Sequence, residues 1–176
     1  MAFSFYQAVV PQYLQLLPGV LGNIDRAEAW AAEQGLSAEE VLGKQLAPDM
    51  WPLAAQFRQA AAHSARALQA VESGTYSPQT TPPPLDFAEL RGIVTNALEV
   101  VKGIDADTLN ASADREVAFT IGSEIRMRFV VSDFLLSFSQ PNFYFHTSAA
   151  YSILRGLGAK VGKRDYLGTP RIIQPA

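Results

Sequence analysis

Cysteine is absent from all 176 residues. That absence excludes disulfide staples, thiolate metal centres and a cysteine nucleophile, and it fits a cytosolic redox setting. Histidine is nearly as scarce, with only His63 and His146 present. No run reaches the roughly 18 uncharged apolar residues of a membrane span. Met1-Ala2-Phe3-Ser4-Phe5 carries neither a basic leader nor a cleavable apolar stretch, so the chain reads as cytoplasmic. Excess positive charge is missing too. Fourteen Lys and Arg against 17 Asp and Glu leave a net charge of −3, which disfavours a nucleic-acid partner. There is no glycine-rich phosphate loop, internal repeat, sustained heptad pattern or long linker. One domain spanning residues 1–176 is expected.

What remains is the composition of a folded globule, 48% hydrophobic and 18% charged, long enough to bury a core without staples. From about Ser4 to Gln34, Phe5, Val9, Tyr13, Leu16, Val20 and Ile24 recur at helical spacing. Tyr6, Val10, Leu14, Leu17 and Leu21 widen that stripe. Pro11 and Pro18 predict a kinked helix or two helices in line, and Gly35 a stop. Ser37-Ala38-Glu39-Glu40 is a capping box opening a short helix. Asp49 and Pro52 open a second long helix, with Pro52 in its first turn and Gly74 closing it. Ser77 to Pro84 is a proline-rich loop. Asp86 and Glu89 cap a third long helix that ends at Gly103.

The period then changes. Val117, Phe119 and Ile121, then Ile125, Met127 and Phe129, alternate around Gly122-Ser123, as a β-hairpin requires. A three-residue loop, Gly122 to Glu124, would pair Ile121 with Ile125, Phe119 with Met127 and Val117 with Phe129. A two-residue turn would mix the faces, so an odd-numbered loop is expected. A last helix runs from about Ser132 to Leu157, kinked at Pro141. An extended tail follows.

The most informative stretch is Pro141-Asn142-Phe143-Tyr144-Phe145-His146, running on through Ala150-Tyr151 and Ile153-Leu154-Arg155. To it are added Tyr6-Gln7-Ala8, Leu46-Ala47-Pro48-Asp49-Met50-Trp51-Pro52-Leu53, Asp114-Arg115-Glu116-Val117 and Gly162-Lys163-Arg164-Asp165-Tyr166-Leu167-Gly168. With these the chain resembles the DinB/YfiT-like superfamily, whose members are regarded as metalloenzymes. Within it, the chain is similar to an uncharacterised family known only as a domain of unknown function. The resemblance implies an all-α fold, a DinB/YfiT-like four-helix bundle with one β-hairpin inserted before the last helix. It also implies a metal site of three histidines, one on the second long helix and two on the fourth. His63 and His146 fall at two of those places and no third histidine exists.

Within one helical turn of His146 lie Asn142, Phe143, Ala149 and Ala150, none of them a good metal anchor. Asp133 is about 20 Å upstream along a straight helix. Around His63 the equivalent positions are Gln59, Ala60, Arg66 and Ala67. No cofactor is therefore predicted. His63 and His146 are only weak metal candidates, and a structural or hydrogen-bonding role for His146 comes ahead of ligation. His63, on the flank of its apolar stripe, is expected to be partly exposed. His146, Asn142, Tyr144 and Tyr151 are the candidate pocket for a small-molecule ligand. The plain alternative is that Phe138, Phe143 and Phe145 are core, with the tyrosines and Asn142 satisfying buried polar groups.

No nucleophile–base pair is visible, so enzyme status stays open. Two classes follow, a small-molecule binder or enzyme with a pocket near His146, and a non-catalytic assembly protein. The resemblance adds a third, a metal- or thiol-cofactor-dependent enzyme. The width of the first helix's apolar stripe predicts cover by the tail or by a second subunit in a homodimer. In the tail, Tyr166 and Leu167, with Val161, are expected to clamp the bundle. Asp165 should pair with a base, and Gly162-Lys163-Arg164 is not expected to open a helix.

Overall fold

Each helix boundary is set by a few local hydrogen bonds, seen here in a computed structural model that describes residues 3–173. Helix α1, Phe5–Gln34, starts where Ser4 Oγ accepts from Gln7 N–H while Gln7 Oε1 accepts from Ser4 N–H. It runs through Pro11 and Pro18 as one continuous helix, not two in line, and ends at Gly35 in the left-handed region, φ +67°. Helix α2, Ala38–Leu42, carries the Ser37–Glu40 capping box. Pro52 is the N-cap of α3, Leu53–Ala61, one position before the first turn where it was expected.

A π-helical turn, Ala62–Arg66, continues α3 into α4, Ala67–Ser73. This composite helix is buried on nearly every side, because its alanines let neighbouring helices approach closely. Asp86 Oδ1 accepts from Glu89 N–H to start α5, Phe87–Lys102. Asp105 caps a short helix, α6, Ala106–Ala111, between α5 and the sheet. The last composite helix consists of α7, Val131–Asp133, a π-helical segment Phe134–Ser139, and α8, Gln140–Leu157. The widened segment lies just before Pro141, whose ring would clash with a carbonyl one turn earlier in a regular α-helix.

The sheet has three strands, not the two of a lone hairpin: β1, Thr75–Tyr76, β2, Glu116–Ile121, and β3, Glu124–Val130. β1 lies parallel to β2, with Tyr76 opposite Phe119. The expected pairs Val117–Phe129 and Phe119–Met127 are present. The odd-numbered loop is not. Ile121 pairs with Glu124 across a two-residue turn, and Thr120 pairs with Ile125, leaving Arg126 as a bulge residue. Gly122, with φ +60°, supplies the positive φ that a tight hairpin turn needs. The bulge absorbs the parity that an odd loop would have corrected. Val117 is buried, and Phe119 and Phe129 pack on Phe138 at centroid distances of 5.6 and 5.5 Å.

The tail is not simply extended. Gly162 is the N-cap of a one-turn helix, α9, Lys163–Leu167, laid across α1. Asp165 accepts from Gly162 N–H (2.7 Å) and pairs with Arg26 of α1 (2.7 Å), not with a base beside it in sequence. Gln15 Nε2 donates to Leu167 O (3.0 Å), and Ser148 Oγ donates to Tyr166 Oη (3.2 Å). Tyr166 and Leu167 are half-buried, while Ala159 and Val161 are the tail's fully buried residues. A Cβ at Gly19 would lie 2.7 Å from Asp165 O, so the seam is a backbone-to-backbone contact that only glycine admits.

Candidate ligand-binding cleft

The start of α3, the π-helical turn that follows it and the first half of α8 bring the site together. Gln56, in the first turn of α3, is fully buried and donates through Nε2 to Trp51 O (2.9 Å). A backbone carbonyl only accepts, so this bond fixes the amide orientation and leaves Gln56 Oε1 facing His146 Nδ1 at 2.7 Å. His146 therefore carries its proton on Nδ1, and Nε2 keeps a free lone pair. Burial pushes the His146 imidazole down to about 4, so the ring is neutral at pH 7.

His63 lies in the π-helical turn and is only 6% exposed, not partly exposed as its place on the helical wheel suggested. Its carbonyl accepts from Ser139 Oγ (2.9 Å), so one π-helical segment is tied to the other. Burial first, then the nearby His146 and Arg66 charges, pushes His63 down to about 3. Its Nδ1 is buried with no partner. Four rings follow one another at near-equal spacing. Trp51 to His146 is 5.6 Å, His146 to His63 is 5.7 Å, and His63 to Tyr76 is 5.7 Å, with interplanar angles of 8°, 14° and 28°.

The outer end of this row opens on a cleft of about 310 Å³, lined by Asp49, Met50, Trp51, Gln56, Asn142, Phe145 and His146. Trp51 and Phe145 are 54% and 56% exposed, which leaves large apolar surface beside a polar floor. Of the residues expected to form a pocket, His146 and Asn142 meet here, with Asn142 Nδ2 donating to Phe138 O at 2.7 Å. Tyr144 and Tyr151 are not among the lining residues. Tyr144 packs on Phe143 (5.8 Å) and Tyr151 on Tyr166 (6.0 Å). Sequence reasoning missed Asp49, Met50, Trp51, Gln56 and Phe145 as site residues. The available signal was that two of the motifs behind the family resemblance, residues 46–53 and 141–146, both contribute lining residues.

A somewhat larger hollow, about 360 Å³, lies between α1 and the tail. Its main charged pair, Arg26 and Asp165, is already satisfied internally, so it offers less to a ligand.

The family described as "Domain of unknown function (DUF1993)" matches residues 5–167, which contain the whole cleft. The chain belongs to this family. A crystal structure of a DinB family member from Shewanella denitrificans is similar to it, with a TM-score of 0.77 and 27% identity. The match covers 97% of this chain and 95% of that one. No curated protein matches the chain. The DUF1993 chain is thus mostly helical with a DinB-like fold, and no helix among the described residues is long and apolar enough to cross a membrane.

A DinB-like fold raises the question of a metal. Among the described residues no three His, Cys, Asp or Glu side chains converge to hold one. The His63–His146 pair has no third protein ligand, and one His146 nitrogen is committed to Gln56. The residues present do not fit a three-histidine centre.

Proposed function

We propose that this DUF1993 protein is a DinB-like four-helix bundle that binds a small organic molecule in the cleft beside His146, without a histidine-bound metal. The observation that carries this reading is the Trp51–Gln56–His146 relay. It holds a neutral imidazole against an exposed indole, with Nε2 left as a hydrogen-bond acceptor. The ligand this arrangement suits is planar and largely apolar, with an O–H or N–H to donate. Trp51 and Phe145 supply the apolar contact, and Asn142 and Asp49 supply polar groups. Binding is favoured over acid–base catalysis. A general base works best with a pKa near the operating pH, and His146 lies far below it.

The test is a fragment titration followed by Trp51 fluorescence in a Trp30→Phe background. Planar donors such as phenols and indoles should quench saturably. His146→Phe, which keeps a ring in the stack but removes Nε2, should weaken binding about tenfold, the worth of one hydrogen bond. A folded protein showing no saturable quenching by any planar donor would overturn the reading.

Homodimerisation is a separate proposal and needs a surface other than α1, whose second apolar face is covered by the chain's own α9. The exposed Ile121, Ile125 and Met127 of the hairpin are the surface a second copy would use. Light scattering should give a dimer mass that Ile125→Glu reduces to the monomer.

A further inference from the structure

On the opposite side of the α3–α4 helix, two arginines stand where no acid meets them. Arg58 is 7% exposed and Arg66 is half-buried, and neither forms an ion pair among the described residues. Arg58 Nη1 donates to Thr81 O (2.6 Å) and Arg66 Nη2 donates to Ser77 O (2.9 Å), so both reach the proline-rich loop. Loop anchoring uses only those two groups. Arg58 Nε and Arg66 Nη1 remain buried with no partner. A buried donor left unpaired is costly, and a buried guanidinium without a counter-charge more so. The desolvated Arg58 is also held down by the neighbouring Arg66 charge.

Space for the missing partner exists. A hollow of about 220 Å³ is lined by both arginines, with the carboxamides of Gln69, Gln79 and Asn96 exposed around them. The protein's overall charge is −3, so the positive potential here is local to this groove and not a property of the whole surface. Guanidinium forks match the oxygens of phosphate and carboxylate groups in geometry and charge.

We propose that the groove between Arg58 and Arg66 is a binding site for a small dianionic oxyanion ligand, its charge met by the two guanidinium groups that line the hollow and its remaining oxygens by the rim carboxamides. Phosphate groups and dicarboxylates share this chemistry. The site is distinct from the His146 cleft and does not depend on it.

The test is thermal denaturation and calorimetry of the full chain with inorganic phosphate, sulfate or succinate, against sodium chloride at equal ionic strength. A saturable rise in Tm beyond the chloride control is expected. Phosphate exceeding succinate would identify the ligand as a phosphate compound, and the reverse a dicarboxylate. Arg66→Gln and Arg58→Gln should each abolish the rise, whereas Arg126→Gln on the hairpin should leave it intact. Because an arginine variant can fail to fold, Asn96→Asp provides an independent arm. It places a carboxylate at the exposed rim and should raise the anion-free Tm while removing the response to added anion. No saturable shift with any of the three anions would overturn the proposal. So would a shift that survives in Arg58→Gln and Arg66→Gln alike.

Discussion

The seam where α9 crosses α1 and the cleft where Trp51 meets His146 each join distant parts of the chain, but they finish differently. At the seam the principal polar groups have partners within the chain. Asp165 serves both Arg26 and Gly162 N–H, Gln15 holds Leu167 O, and Ser148 meets Tyr166. In and behind the cleft, polar capacity stays open. His146 Nε2 has a free lone pair and His63 Nδ1 is buried alone. Satisfied polar groups hold a fold together, whereas open ones beside exposed aromatics mark where a ligand belongs. The contrast is the ground for proposing the cleft, and not the seam, as the binding site.

Acid should break the cleft side first, and this is the largest effect expected. Both histidines have folded-state values lowered from 6.5, to about 3 for His63 and about 4 for His146. Above about pH 6.5 both states are neutral and the full stability is present. As pH falls, the unfolded chain takes up protons that the folded chain refuses, so stability drops until the folded values are reached. His146 alone should remove about 3 kcal/mol by pH 4, at about 1.4 kcal/mol per pH unit. The pair together approaches the whole stability of a small domain, about 5–15 kcal/mol. Urea midpoints measured from pH 8 to pH 4 should show this fall, and His63→Gln should flatten it. A flat profile in the wild type would contradict the burial argument.

The seam should respond to covalent surgery instead. Truncation after Gly158 exposes the apolar surface that Val161 covers and should cost about 2–3 kcal/mol, seen as a lower Tm with no change in the acid profile. Gly19→Ala drives a methyl into the Asp165 carbonyl and should cost about 1–3 kcal/mol, the usual range for overpacking. The smallest effect on stability belongs to Trp51→Ala, within about 1 kcal/mol because the indole is half outside. The same variant should abolish ligand binding in the cleft. Trp51→Ala losing more stability than Gly19→Ala would reverse the comparison.

Local chemistry was readable where a single residue decides the outcome. Ser4, Gly35, Ser37, Asp86 and Gly103 each mark a helix boundary by a cap or a positive φ. The alternation in 117–129 gave the strands and two of their pairs, but not the turn length, because a bulge at Arg126 undid the parity argument. The burial of His63 was missed for a different reason. Every residue from Leu53 to Ala65 is buried, so this stretch of the composite helix has no exposed flank, and a helical wheel that assumes one misplaces His63. For the candidate site, His146 and Asn142 were legible as polar residues in an aromatic helix. Gln56 and Trp51 were not, because their roles come from a contact across 90 residues of chain that no local pattern encodes.

The account turns on the protonation of His146, and long-range proton–nitrogen correlation of the two imidazoles reads it directly. At pH 7 the His146 ring should show a protonated Nδ1 and a bare Nε2, and its titration should centre near pH 4. A ring protonated on Nε2, or one that titrates near its ordinary value of 6.5, would mean that Gln56 does not hold it as described, and the cleft would lose its acceptor.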